Sequence, residues 1–327
     1  MKAGLVSTLF ALTMLLVGYG YAAEPLTAQV NPKLLGTSSF SKWGLPLKTG
    51  QIVVTESPEP INTIYMLLYP QFSPFIHVGI LELEDDQAYV YESSGEYKLG
   101  LDNKPPTDHV EGYVRRIPLT QYISEYGETV SFYQPPNADL SKVLQQAKQH
   151  ADAKTPFDAY FNYTDRSRLY CSEFVAHAFE AGGAPAYRTV PMQLNASMQT
   201  IVSWLKVKDR AILPVEQLIA HSNWVGTIST KYTLTELKAD RAVKAQLYQR
   251  FTSNQKLGNI LAWGGTSVSF QPAVANFKQQ ALTAFDKNQT YSAAQVASKV
   301  SELADQYLGK FETRNIALCK LDFSLCH

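Results

Sequence analysis

The chain has 327 residues, 29 basic and 29 acidic side chains, and so no formal net charge. Without a dense Lys/Arg run it lacks the electrostatic footprint of a nucleic-acid partner, and its length suits one large domain plus a smaller one. The abundant Tyr and Phe fit either a core with a half-buried sheet or a groove facing lipid or sugar.

The N-terminus carries Lys2, an apolar run from Leu5 to Val17, and small residues Gly20 and Ala22 at the −3 and −1 places of a cleavage site. The run is shorter than the ~20 residues needed to span a bilayer. Residues 1–22 therefore read as a cleavable secretory signal. No cysteine follows the cut, which argues against a lipid anchor of the bacterial lipoprotein kind. The expected location is periplasmic or secreted.

After an N-terminal extension over 23–44, residues 45–230 read as mixed α and β. "GQIVVTE" is a β-branched run after glycine, hence a strand. "INTIYMLLY" is apolar without period-2 alternation and predicts a helix. "FIHVGILELEDDQAYVYESSG" predicts two strands around an Asp85-Asp86 turn. "GYVRRIPLTQYI" and "ETVSFYQ" predict further strands, and "SKVLQQAKQHADA" a helix capped by Ser141. "RLYCSEFVAHAF" predicts a buried helix opening at Cys171. Residues 231–327 read as helices alone, with Leu237, Val243, Leu247 and Phe251 on one face. Pro272 stands at a first helical position, and Ser292 and Gln295 in capping-box spacing.

Three cysteines are an odd number for an exported chain. Cys319 and Cys326 are the obvious disulfide couple. One continuous helix would hold them about 10 Å apart, so the bond requires a bent segment. That leaves Cys171, which is either buried and inert or kept free for chemistry. Phe174, Val175, Ala178 and Phe179 follow it at i+3, i+4, i+7 and i+8, which places Cys171 at the N-terminal end of the core-facing stripe. Glu173 points away from that stripe. A helix N-terminus favours the nucleophilic thiolate, and its N–H groups can hold an oxyanion.

Among six histidines, His109, His150, His177, His221 and His327 sit in loop-like, charged or terminal settings, or across the helix from Cys171. His77 is embedded in an apolar strand and requires a partner. With an Asp85-Asp86 turn, opposed residues sum to 171, so Gly79 faces Glu92. Glu92 becomes the diagonal neighbour of His77, and Gly79 leaves room for the carboxylate. A cysteine, a histidine and an orienting acid form the triad of nucleophilic acyl transfer. Structural roles remain the alternative for all three: a small residue plugging a helix end, and a buried cross-strand polar pair.

In chain order, "TGQIVV", "FIHVGIL", "YESSG", "FDAYFNY…RLYCSEFVAHAFEAGG" and "ILPVEQLIAHS" resemble the permuted papain-like amidases. These are circularly permuted relatives of bacterial cell-wall cysteine endopeptidases and of the lecithin–retinol acyltransferase group. The resemblance covers about residues 45–230. It departs from the family's pattern at Gly50-Gln51, where Gly-Asp is usual, and at Ile76, where a polar residue is usual. It implies an α+β permuted papain-like fold, with an antiparallel sheet packed on the cysteine helix; the all-α C-terminal region read from the sequence has no counterpart in the resemblance. It also implies Cys171 as nucleophile, His77 as base and Glu92 as its orienting acid, with no metal or cofactor.

The expected function is an exported cysteine hydrolase forming a thioester acyl-enzyme with a cell-wall peptide or N-acyl amide. Tyr160, Phe161 and Tyr170, beside the thiol in sequence, are the expected substrate-pocket lining, with core packing as their alternative. Two further readings are a lipid acyl hydrolase or acyltransferase, and a non-catalytic lipid- or peptidoglycan-binding protein. The C-terminal helices are expected either to dock a partner or a membrane surface, or to belong to the core.

Overall fold

The structure is a computed structural model, and it describes residues 27–30, 44–85, 87–97, 110–126, 129–136, 138–252, 256–264, 267–286, 289–311 and 320–321. Residues 1–22, expected to be a signal, and the expected disulfide pair Cys319 and Cys326 lie outside the described residues, as do His109 and His327.

A seven-stranded antiparallel sheet forms the frame. Its strands are β1 (Thr27–Val30), β2 (Ile52–Glu56), β3 (Phe75–Glu84), β4 (Gln87–Tyr97), β5 (Val110–Pro118), β6 (Thr129–Gln134) and β9 (Asn223–Ser229). They lie in the order β1-β9-β6-β2-β3-β4-β5. The 23–44 segment thus supplies an edge strand. Period-2 alternation divides β2 between two apolar layers: Ile52 and Val54 face one side, Val53 the other. The smaller layer, with Leu81, Val90 and Phe132, is covered by α2 (Leu119–Glu125) and by Leu45 and Leu47.

The larger layer is covered by helices. These include α1 (Thr63–Leu68), α3 (Leu140–Asp152), α4 (Cys171–Ala181), α5 (Ala196–Trp204) and α6 (Val215–Ile219). A two-stranded ribbon of β7 (Val190–Pro191) and β8 (Ala211–Ile212) joins the last of these. The C-terminal helices α7 (Leu234–Thr252), α8 (Pro272–Thr283) and α9 (Ala293–Leu308) follow. Ala239, Val243, Leu247, Phe277 and Val296 belong to the same buried cluster as Ile52, Val78 and Phe174. The C-terminal helices therefore share the core of the sheet.

Four local expectations need correction. The C-terminal region is not all α: β10 (Leu261–Gly264) and β11 (Ser267–Phe270) form an antiparallel hairpin. The reason is written in "LAWGGTSVSF", where a Gly-Gly pair separates two β-forming runs. "LTQYI" is the start of α2 and not an extension of β5, because Pro118 cannot donate to a ladder and takes the N-cap position instead. Asp139, rather than Ser141, caps α3, its carboxylate accepting from the Lys142 N–H at 3.4 Å. Finally, Gly79 has another cause. A Cβ there would lie 2.4 Å from Val90 Cγ1 and 2.7 Å from the Tyr91 carbonyl oxygen, so backbone crowding excludes a side chain. The Ser292–Gln295 capping box and Pro272 in the first turn are as the sequence indicates.

Candidate active site

The β3–β4 hairpin turns at Asp85, which has φ +47°, and its pairs from Glu84↔Gln87 to Ile80↔Tyr91 follow the expected register. There the β3–β4 ladder stops. β3 continues on β2, pairing His77 with Thr55, and β4 continues on β5, pairing Glu92 with Arg115. The two strands part at the level of His77 and Glu92. Into this region comes the chain leading to α4: the Ser93 hydroxyl on β4 donates to the carbonyl of Leu169.

His77 and Glu92 are both buried, and His77 Nε2 lies 2.6 Å from Glu92 Oε2. Cys171 acts electrostatically on the same imidazole. The His77 ring stacks on Tyr126, with centroids 4.1 Å apart and planes 15° apart, and it meets Tyr122 of α2 at 5.8 Å. Burial by itself would lower the His77 pKa. Its interaction with the Cys171 sulfur, together with the hydrogen bond and charge of Glu92, outweighs burial and raises it to about 9. Burial likewise pushes the Glu92 carboxyl up, and its bond to His77, the His77 charge and the Arg115 guanidinium bring it below the usual range. Both shifts favour the ion pair of His77 with Glu92.

Cys171 is the first residue of α4 and is partly exposed. Tyr170 enters the helix extended, and its carbonyl accepts the Phe174 N–H at 2.9 Å. The N–H groups of Cys171, Ser172 and Glu173 precede that first intrahelical bond. Two reciprocal bonds pin this helix end: the Ser172 hydroxyl donates to the Leu213 carbonyl at 2.7 Å, and Leu213 N–H to the Tyr170 hydroxyl at 3.2 Å. Glu173 points off the stripe, as expected, yet is fully buried. Neither of its oxygens has a hydrogen-bond partner among the described residues. Burial, then the nearby Asp158 charge, raises its pKa to about 8.

The expected pocket aromatics separate. Phe161 and Tyr170 are buried against each other at 5.1 Å, and Phe161 takes φ +52° in a loop held by Asp158. That carboxylate accepts the N–H groups of Tyr160 at 2.9 Å and Asn162 at 2.5 Å. Tyr160 is half-buried, with the Lys208 ammonium 5.2 Å from its ring centroid. Gln51 is buried and donates to the Pro46 carbonyl at 3.3 Å. His150 bonds Gln146 and Thr155, and burial lowers its pKa. His221 is exposed. His177 is held down to about 4 by burial and the Arg166 charge.

Sequence reasoning missed Arg115, Tyr122, Tyr126 and Tyr69. Tyr69 is buried, and its hydroxyl interacts electrostatically with Cys171 and Glu216. Among the described residues no cluster of three or more His, Cys, Asp or Glu could hold a metal ion, and no helix is long and apolar enough to cross a membrane.

No family model matches the chain, and no curated protein matches it. Among solved structures, the metalloprotein yiiX from Escherichia coli O157:H7 is similar at 20% identity and a TM-score of 0.41. That similarity covers 54% of this chain and 96% of the other.

Proposed function

We propose that this protein is an exported cysteine hydrolase of the permuted papain-like kind, acting on an amide of a cell-wall peptide or an N-acyl compound. The observation that carries the reading is the buried imidazole of His77, 2.6 Å from the Glu92 carboxylate and under the electrostatic influence of Cys171 at the start of α4. Cys171 is the nucleophile, His77 the base and Glu92 the acid that orients the ring.

The Cys171 sulfur, its proton passed to His77, attacks the acyl carbon. Backbone N–H groups in the first turn of α4 receive the oxyanion that forms. His77 gives its proton to the leaving amine as the carbon–nitrogen bond breaks. Water, deprotonated by His77, then attacks the thioester, releasing the acid and the thiolate and leaving His77 protonated. Tyr69 and Tyr160 are placed near the sulfur in space and in sequence respectively, and we assign them to the substrate cleft.

The test is thiol reactivity. Iodoacetamide near pH 7 should modify Cys171, located by peptide mass mapping, and His77→Ala should slow that reaction about tenfold or more. Equal rates in the two proteins would leave only a binding role for the cleft.

A further inference from the structure

The acid of this site is shared. Glu92 Oε2 faces His77, while Oε1 accepts from Arg115 Nε at 2.8 Å and lies 2.7 Å from its Nη2. Arg115 is in turn bound to Glu125 of α2 through the same Nη2, and Glu125 accepts from Gln121 at 2.7 Å. Charges therefore alternate from the surface inward: Glu125, Arg115, Glu92, His77. The outer pair is partly exposed, with Arg115 at 29% and Glu125 at 31%, whereas Glu92 is fully enclosed.

We infer that Arg115 is a positioning residue that sets the proton affinity of His77 by holding half of the Glu92 carboxylate. This rests on the hydrolase reading and adds its regulation. A lone carboxylate would bind the imidazolium too firmly for it to serve as an acid toward a leaving amine. A cation on Oε1 withdraws part of that hold and fixes the plane in which Oε2 meets Nε2.

Few other charges compete for the imidazole. β4 brings Glu92, α4 brings Cys171, and α2 brings Tyr122, Tyr126 and Glu125. β2 offers Thr55, its Glu56 being bound to Arg241. From α1 and α6 come Tyr69 and Glu216, of which Tyr69 interacts with the sulfur.

The experiment follows the His77 ring signals of the isotope-labelled full chain through a pH titration by NMR, assigned with His77→Gln. Arg115→Met should move the midpoint up by about one pH unit. Glu125→Gln, which leaves Arg115 wholly to Glu92, should move it down by about 0.3 unit. A merely structural Arg115 would instead release Glu92 and lower the midpoint in Arg115→Met. An unchanged or lowered midpoint there overturns the inference. Should Arg115→Met fail to fold, Glu125→Gln decides alone, and an unchanged or raised midpoint overturns it. Opposite shifts, combined with Cys171 alkylation indifferent to His77→Ala, would keep the clamp and remove the hydrolase.

Discussion

Two buried networks of alternating charge cross this molecule, and they end differently. The first joins Glu125, Arg115, Glu92 and His77 and finishes on the partly exposed sulfur of Cys171. The second fastens the C-terminal helices to the sheet. There Arg241 on α7 meets both oxygens of Glu56 on β2, at 2.9 and 3.0 Å from Nε. Lys244 and Lys278 sit 2.7 and 2.9 Å from Asp240, and the two ammonium groups hold the Asp240 carboxyl well below the usual range against the effect of burial. Every carboxylate of the second network is matched by fixed cations, and nothing in it is left to react. The first network closes on His77, on which the Cys171 sulfur acts electrostatically. Saturated pairing serves cohesion, and under the proposed function the titratable end of the first network serves chemistry.

The largest expected effect breaks the second network. Arg241→Met leaves Glu56 buried at 3% exposure beside only Lys244, 3.8 Å away. Loss of one partner of a buried pair costs about 3–5 kcal/mol, measured as a lowered urea midpoint. Glu56→Met combined with Arg241→Met should recover most of it, because two apolar side chains leave no charge uncompensated. Cys171 alkylation in the folded double variant should match the wild type. A double variant as unstable as the single one would show that the ion pair itself, rather than its desolvation balance, holds the helices.

A smaller effect separates the networks by pH. His77 is raised to about 9 from the ordinary imidazole value of about 6.5. A group whose folded pKa is raised stabilises fully below its unfolded pKa, and that contribution is lost as pH climbs through the folded value. Stability should therefore fall between about pH 6.5 and 9. Glu173 shares the lower part of this window, so the decisive stretch is pH 8–9. His77→Gln should flatten the stability curve there, followed by urea denaturation at each pH. The second network contains no histidine, and Arg241→Met should leave the slope in place.

These contrasts also show what the sequence made legible. His77 stood out because a polar residue interrupts an apolar strand, and Cys171 because a helical stripe begins on it. The Asp85-Asp86 turn fixes the β3–β4 register through Ile80↔Tyr91, which was enough to bring His77 and Glu92 together. Arg115 was out of reach, since its position opposite Glu92 depends on a long connection whose length sets no register. The parting of β3 and β4 was hidden for the same reason: no single residue signals the end of a ladder. On α7, Lys238, Asp240, Arg241 and Arg250 are charged yet buried: Arg241 meets Glu56 of β2, Asp240 meets Lys278 of α8, Arg250 meets Asp305 of α9, and Lys238 donates to the Tyr291 carbonyl. Helical periodicity reports apolar faces and is blind to ion pairs made between distant segments.

Glu173 belongs to neither network, and it supplies the smallest and cleanest contrast. It sits two residues past the thiol, fully buried, with no cation matched to it as Arg241 is to Glu56. Its pKa of about 8 means that the folded protein holds the proton at neutral pH while the unfolded chain releases it. A raised carboxyl contributes stability only while protonated, and that contribution drains away between about pH 4.5 and 8. Glu173→Gln keeps the shape and removes the titration. It should stabilise the protein by about 1–2 kcal/mol at pH 8 and change nothing near pH 4, read from urea midpoints at the two values. Loss of stability at pH 8 would mean that the ionised carboxylate has a partner after all, and the contrast between paired and unpaired buried acids would then fail at this position.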